Sequence, residues 1–276
     1  MPTGYPEIRM NESTLLTLTA ALGLASCGNA GADAVAAPED TPTPTAEASS
    51  VEVRPIAHAT FVLVSDDGVI YNDPVGGAEA FDGQPVADLI LLSDIHPDHL
   101  DTATLGGLLR DEARTDAETR LVAPAAVVEQ LPDGIAARTT TVANGETAAV
   151  AGVRLEALPM YNLREEALRF HPKGRGNGYV LDGFGGERIY IAGDTEDIPE
   201  MRQLGGIDRA FVPMNLPYTM PVEAAADAVV AFRPAIVHPY HYRGEGGLSD
   251  VGAFAKTVDS AGVGVEVAQL EWYPGG

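Results

Sequence analysis

The chain has 276 residues, 45% of them hydrophobic, which is enough for one large or two small domains with a sizeable buried core. Forty acidic residues against seventeen basic ones give a formal net charge of -23 at pH 7. This charge argues against nucleic acid or an anionic membrane surface as a partner, because both would repel the protein.

The chain opens with a segment typical of secreted bacterial proteins. An apolar stretch runs from Thr14 to Cys27, which is the single cysteine. The sequence of residues 24–27, Leu-Ala-Ser-Cys, resembles a lipobox, in which the cysteine is acylated and becomes the mature N-terminus. A buried structural cysteine is the alternative. We expect residues 1–27 to be a signal segment, and a lipid anchor to hold the protein at the periplasmic or extracellular face of the bacterial cell envelope.

A change of composition separates this segment from the rest of the chain. Residues 28–50 are nearly all Gly, Ala, Thr, Pro, Ser, Asp and Glu. Such a segment has little apolar surface to bury, so we expect it to be a disordered tether. We expect residues 51–276 to form one folded domain.

The domain begins with strand patterns. Strands are predicted at residues 51–55, 60–65 and 69–72, with a hairpin turn at residues 66–68, Asp-Asp-Gly. Asp73 precedes a proline and is expected to cap a turn. His58 lies between the first two strands, where a lone histidine is more often a hydrogen-bonded structural residue than a metal ligand.

The densest group of ligand side chains follows the apolar run of residues 89–92. The run predicts a short strand buried on both faces, because no polar residue alternates with its apolar ones. Four ligand-type residues then occur within six positions: Asp94, His96, Asp98 and His99. Imidazole and carboxylate groups suit zinc, manganese or iron, and such closely spaced ligands can serve one metal or two adjacent ones. An exposed acidic loop with two incidental histidines is the alternative.

Helices and strands alternate after this cluster. Asp101 is placed to cap a helix over residues 102–113. Further helices are predicted at residues 124–131, 199–204 and 221–232, and strands at residues 121–123, 153–158, 179–181, 188–192, 210–213 and 236–237. Hairpins followed by this alternation predict an α/β fold, in which two mixed β-sheets form an αββα sandwich flanked by helices.

Three motifs, in order, resemble those of the metallo-β-lactamase superfamily. Residues 94–99 read Asp-x-His-x-Asp-His and are similar to the family signature His-x-His-x-Asp-His. Residues 193–195, Gly-Asp-Thr, and residues 238–241, His-Pro-Tyr-His, follow in the family's order. Within the superfamily, the chain looks like the metal-dependent hydrolases related to ascorbate-6-phosphate lactonase.

This resemblance implies two neighbouring metal sites of unequal strength. The second site has a full ligand set: Asp98, His99, Asp194 and His241. The first site would use Asp94 and His96 and share Asp194, but an aspartate replaces its leading histidine and Tyr161 lies near the usual place of another. We therefore expect one tightly held divalent metal, zinc in preference to manganese or iron, and a second that is weakly held.

The resemblance also implies hydrolysis of a small molecule by a metal-activated water. Asp98 and Asp194 would be catalytic, with Tyr161 and His171 as candidate partners of an oxyanion or leaving group. Lys173 and Arg175 belong to a basic loop that predicts an anionic lactone, ester or phosphodiester, although surface ion pairing explains such a loop equally well. The alternatives are a non-catalytic metal- or ligand-binding lipoprotein with a degenerate first site, and a diiron redox protein that serves a flavin.

Replacing Cys27 by alanine tests the predicted anchor. Acylation of this thiol would hold the chain to a membrane, so we expect the wild type in the membrane fraction and Cys27→Ala in the soluble fraction on an immunoblot. The control Ser26→Ala keeps a small residue before the cysteine and should stay in the membrane fraction. Equal distributions of the wild type and Cys27→Ala would contradict lipidation.

Overall fold

The computed structural model describes residues 51–274, so the predicted signal segment, residues 1–27, and tether, residues 28–50, lie outside the described residues. A six-stranded sheet contains the first half of the described chain. Its strands, which pair in chain order, are β1 (Glu52–Ala57), β2 (Thr60–Ser65), β3 (Gly68–Asn72), β4 (Ala87–Leu91), β5 (Thr115–Ala123) and β6 (Thr139–Thr141). This first sheet is mixed, because β1 to β3 are antiparallel and β3 to β6 are parallel.

A seven-stranded sheet contains most of the second half. Its strands are β7 (Thr147–Val150), β8 (Val153–Met160), β9 (Gly176–Phe184), β10 (Glu187–Ile191), β11 (Arg209–Pro213), β12 (Ile236–Tyr240) and β15 (Glu266–Val267). The spatial order is β15-β12-β11-β10-β9-β8-β7, with parallel pairing from β15 to β10 and antiparallel pairing from β10 to β7. A separate hairpin is formed by β13 (Arg243–Gly244) and β14 (Gly247–Leu248).

In the described part of the chain, six helices connect these strands: α1 (Thr102–Leu108), α2 (Ala125–Val128), α3 (Asp133–Ala136), α4 (Pro199–Arg202), α5 (Val222–Phe232) and α6 (Val251–Ser260). Single turns of 3-10 helix occur at Ala78–Phe81 and Glu165–Ala167. Within residues 51–274, no helix combines the length and the apolar character needed to cross a bilayer. With two mixed sheets and helices, the predicted α/β sandwich is confirmed.

Strand β4 divides its side chains between two apolar cores. Leu89 and Leu91 belong to the core between the sheets, whereas Ile90 and Leu92 belong to the core that includes α1. The prediction of a strand buried on both faces is therefore confirmed. Because both faces are packed, β4 cannot shift easily, and the position of the ligand residues that follow it is fixed.

Helix α1 begins where the sequence predicts and ends earlier. Asp101 accepts hydrogen bonds from the backbone amides of Ala103, at 2.9 Å, and Thr104, at 3.2 Å, as an N-cap does. The helix stops at Leu108 rather than at residue 113. Two glycines weaken its last turn, and the Thr115 hydroxyl donates to the Leu108 carbonyl at 2.7 Å.

Candidate metal centre

The second site gathers at the edge where parallel strands of both sheets end. Asp98 and His99 follow β4, Asp194 follows β10, and His241 follows β12. His99 Nε2 lies 3.4 Å from Asp194 Oδ2, and His241 Nε2 lies 3.4 Å from Asp194 Oδ1. Asp98 Oδ2 is 3.3 Å from His241 Nε2. The structure thus brings together all four predicted ligands, although they come from three loops.

These four residues suit a divalent metal. His99 Nε2 and Asp194 Oδ1 are buried and have no hydrogen-bond partner among the described residues. Burying a polar atom without a hydrogen bond costs free energy, so two such atoms in one site indicate that a further group binds there. Two imidazole nitrogens and two carboxylates form a donor set that zinc, manganese and iron accept.

The charges around Asp194 favour a cation. Burial would raise the pKa of Asp194, but His241 and His99 outweigh it and hold the pKa well below its usual range. Burial would lower the pKa of His99, but Asp194 and Asp73 raise it well above the ordinary value. The two carboxylates that flank His99 therefore create a negative environment, which favours a bound cation.

Asp73 orients His99 from outside the site. It is buried, follows β3 and accepts hydrogen bonds from the backbone amide of Ser93 at 2.7 Å and from His99 Nδ1 at 2.9 Å. The sequence predicts a turn cap at Asp73, but parallel pairing of β3 with β4 turns its carboxylate towards His99 instead. Such a carboxylate fixes the imidazole tautomer and leaves Nε2 available for a metal.

The first site contains a histidine from a distant loop. His96 Nδ1 lies 2.9 Å from Asp94 Oδ2 and 3.2 Å from His171 Nε2, which itself lies 3.2 Å from Asp194 Oδ2. His171 Nδ1 can donate to the Tyr218 carbonyl at 3.1 Å, which leaves its Nε2 with a free lone pair. His171, predicted as a partner of an oxyanion or leaving group, therefore lies where a metal ligand would.

Arg175 points into the protein. Its Nε donates to Asp94 Oδ1 at 3.0 Å and its Nη2 to Asp94 Oδ2 at 2.8 Å, while its side chain is 18% exposed. Burial would raise the pKa of Asp94, but hydrogen bonds from His96 and Arg175 keep it below the ordinary value. This geometry gives no support to Arg175 as a residue that clamps a substrate anion.

Tyr161 and Lys173 are not brought to the metal ligands. The Tyr161 hydroxyl donates to Glu200 Oε2 at 2.8 Å, and Lys173 Nζ lies 2.6 Å from Glu200 Oε1. Nearby, Arg164 Nε pairs with Glu196 at 2.7 Å. Three basic side chains of the loop, those of Arg164, Lys173 and Arg175, thus form ion pairs. The predicted roles of Tyr161 and Lys173 find no support in these contacts.

A cavity of about 460 Å³ adjoins both sites. Its lining includes ligands of each site together with further side chains: His58, His96, Pro97, Asp98, Phe170, His171, Asp194, Asn215, Tyr218, Arg243, Gly244 and Glu245. This volume falls in the range of small-molecule pockets. A substrate in this cavity would lie next to the metal ligands.

Two of the lining residues could act on such a substrate and were not expected from the sequence. His58 Nδ1 is buried without a hydrogen-bond partner in the described chain, and burial and His241 lower the pKa of His58. The Asn215 amide nitrogen lies 3.4 Å from His241 Nε2. Asn215 follows β11, and β11 lies between β10 and β12 in the sheet. Its position after a strand that ends at the same edge is the feature of the sequence that points to the site.

His238, the first histidine of the last motif, is structural. It lies inside β12, its Nε2 is 2.7 Å from Arg209 Nη1, and its Nδ1 is 2.9 Å from the Ala268 carbonyl. Burial lowers the pKa of His238 to about 4, so the imidazole is neutral at physiological pH. Both ring nitrogens are engaged away from the metal ligands.

Comparison with known proteins gives consistent matches. The model of the beta-lactamase superfamily domain matches residues 52–241. A UPF0173 metal-dependent hydrolase from Thermococcus onnurineus is 31% identical over 199 residues, which cover 70% of this chain and 84% of the relative. One from Thermoplasma acidophilum is 30% identical over 195 residues, covering 67% of this chain and 80% of the relative.

Solved structures give the same result. A protein from Parabacteroides distasonis, assigned as a metal-dependent hydrolase, is 34% identical with a TM-score of 0.69, over 81% of this chain and 94% of that one. The metallo hydrolase Igni18 from Ignicoccus hospitalis is 23% identical with a TM-score of 0.64, over 80% of this chain and 95% of that one, and supports the fold alone.

Replacing Asp73 by asparagine tests its orienting role. The amide cannot provide the charge that holds the His99 imidazole, so we expect the metal affinity of the second site to fall roughly 10- to 100-fold in a competition titration with a chromophoric chelator. The control Asp66→Asn removes an exposed carboxylate and should leave the affinity unchanged. An unaltered affinity in Asp73→Asn would show that the Asp73 carboxylate does not support the site.

Proposed function

The chain belongs to the beta-lactamase superfamily and is a metal-dependent hydrolase, and from this premise we propose that it cleaves a lactone, ester or phosphodiester bond in a small anionic molecule. The observation that carries the proposal is the cavity of about 460 Å³ whose lining includes Asp98, His171 and Asp194. Zinc is the proposed metal, because the second site offers two imidazole and two carboxylate ligands.

The metal and the protein have separate tasks in this proposal. Held by Asp98, His99, Asp194 and His241, a divalent metal would lower the pKa of a bound water to about 7 and polarise the bond under attack. Asp194 lies between the two sites and orients both, since His99, His241 and His171 all contact its carboxylate. Hydrogen bonding from His241 holds the pKa of Asp98 below its ordinary value despite burial, so this side chain remains a carboxylate at neutral pH.

Asn215 and His58 provide the polar contacts to the substrate. The Asn215 amide can donate a hydrogen bond to an oxygen that gains negative charge, since its own carbonyl oxygen is engaged by the Thr219 hydroxyl. Because burial lowers the pKa of His58, its imidazole favours the neutral form, whose one N–H can donate a hydrogen bond to an oxygen of the substrate. Both side chains line the cavity.

Arg243 supports the preference for an anion. Among the described residues that line the cavity, it is the one with a cationic side chain of the Lys or Arg type. Its guanidinium lies 4.5 Å from the centre of the Tyr273 ring, which limits its freedom and presents it at the cavity. In a protein of net charge -23, such an isolated cation raises the local concentration of anions.

The proposed location is the bacterial cell envelope. The lipobox-like sequence ending at Cys27 and the tether of residues 28–50 support a lipid anchor as the sole attachment to a membrane. A domain placed there would meet small-molecule substrates outside the cytoplasm.

Activity on a substrate panel tests the proposed hydrolysis. We expect the metal-loaded protein to cleave at least one class among anionic lactones, esters and phosphodiesters, and to lose this activity on chelation and regain it with zinc. His241→Ala should match the chelated protein, because it removes a ligand of the second site. The control His238→Gln alters the histidine that lies three residues earlier, inside β12, and should keep metal and activity. A metal-loaded protein inert towards the whole panel would instead support the non-catalytic binding protein.

Removing single charges from the cavity lining tests the anion preference. Arg243→Gln removes an exposed cation, so we expect KM for an anionic substrate to rise roughly 2- to 5-fold with kcat little changed. Glu245→Gln, on the same hairpin, removes a carboxylate that also lines the cavity and should lower KM. The two effects should shrink in high salt. A KM that neither substitution changes would argue against electrostatic selection.

A further inference from the structure

One loop provides both a ligand and a cation to the first site. Residues 161–175 connect β8 to β9 and carry His171 and Arg175. The Arg175 guanidinium is bidentate on Asp94, donates to the Phe170 carbonyl and lies 3.3 Å from His96 Nε2. A fixed positive charge is therefore in contact with two of the side chains that would hold the first metal.

The contact with His96 favours a tautomer that cannot bind a metal through Nδ1, the nitrogen that faces His171. A guanidinium only donates hydrogen bonds, so its contact with His96 Nε2 is favourable when that nitrogen carries no proton. The proton then lies on Nδ1, where it can be donated to Asp94 Oδ2 at 2.9 Å. Nδ1 is also the atom that faces His171. A metal at Nδ1 would need the opposite tautomer and would break the hydrogen bond from Arg175.

The charges at the first site also weaken the binding of a metal. Arg175 neutralises Asp94, which leaves the shared Asp194 as the first site's one carboxylate without a guanidinium partner. The second site has Asp98 as well as Asp194, and within residues 51–274 none of its hydrogen bonds and ion pairs involves a lysine or arginine. At the few ångströms that separate these groups, a guanidinium repels a divalent cation strongly even with partial screening.

We propose that Arg175 is a resident cation of the first site, which engages Asp94 and His96 in the metal-free state and makes metal binding there weak and reversible. The second site lacks such a competitor and holds its metal tightly. The proposal concerns metal affinity alone and holds whatever bond the protein cleaves.

Metal titrations of the full chain test this role, with zinc and a competing chelator as the probe. The wild type should show one tight and one weak equivalent. Arg175→Met removes the charge and the hydrogen bonds, so the weak equivalent should become roughly ten-fold tighter or more while the tight one is unchanged. Arg175→Lys keeps the positive charge and should retain a weak first site.

A neighbouring cation provides the matched control. Lys173→Met removes the same charge from the same loop, but Lys173 pairs with Glu200 and not with Asp94, so the weak equivalent should change by less than about two-fold. A weaker or unchanged first site in Arg175→Met, with the tight equivalent and the thermal midpoint preserved, would show that Arg175 supports the site or is irrelevant to it. If the weak equivalent became tighter in both Arg175→Met and Lys173→Met, the change in net charge would explain the effect, and the proposal would be overturned.

Discussion

The domain buries several carboxylates at one place, and the rest of the site depends on how their charge is compensated. Asp73 and Asp94 are fully buried and Asp194 is 3% exposed. Burying a carboxylate costs several kcal/mol unless it is paired and hydrogen-bonded. Asp73 is compensated by Ser93 and His99, Asp94 by Arg175, and Asp194 by imidazoles and by the metal that the unpaired atoms call for.

Strand packing gives the two sites different supports. The second site takes its ligands from the ends of β4, β10 and β12, which are buried between apolar layers and cannot shift independently. The first site also needs His171, which comes from the loop of residues 161–175. That loop is positioned by Asn162, whose amide donates to the carbonyls of Ala167 and Tyr218. The proposed difference in metal affinity between the sites would therefore have a mechanical as well as an electrostatic cause.

Local patterns explain which features could be predicted from the sequence. The apolar run of β4 and the ligands that follow it are adjacent in the sequence. A local pattern therefore predicts both the strand and the cluster of ligands. The loop of residues 161–175 has no such periodicity, and packing alone decides that His171 faces the cluster while Tyr161 faces Glu200. Lys173 and Arg175 are both basic and are two positions apart, yet Lys173 pairs with Glu200 and Arg175 with Asp94. The sequence predicts only a turn at Asp73, because its contact with His99 depends on the pairing of β3 with β4.

Anomalous diffraction at the zinc edge, from crystals of the protein loaded with zinc, locates the bound metal most directly. We expect a strong, fully occupied peak bounded by Asp98, His99, Asp194 and His241. A weaker peak, which grows with the zinc concentration of the soak, is expected beside Asp94, His96 and His171. A zinc ion bound outside these residues, or one that fills only the first site, would contradict the assignment of the ligands.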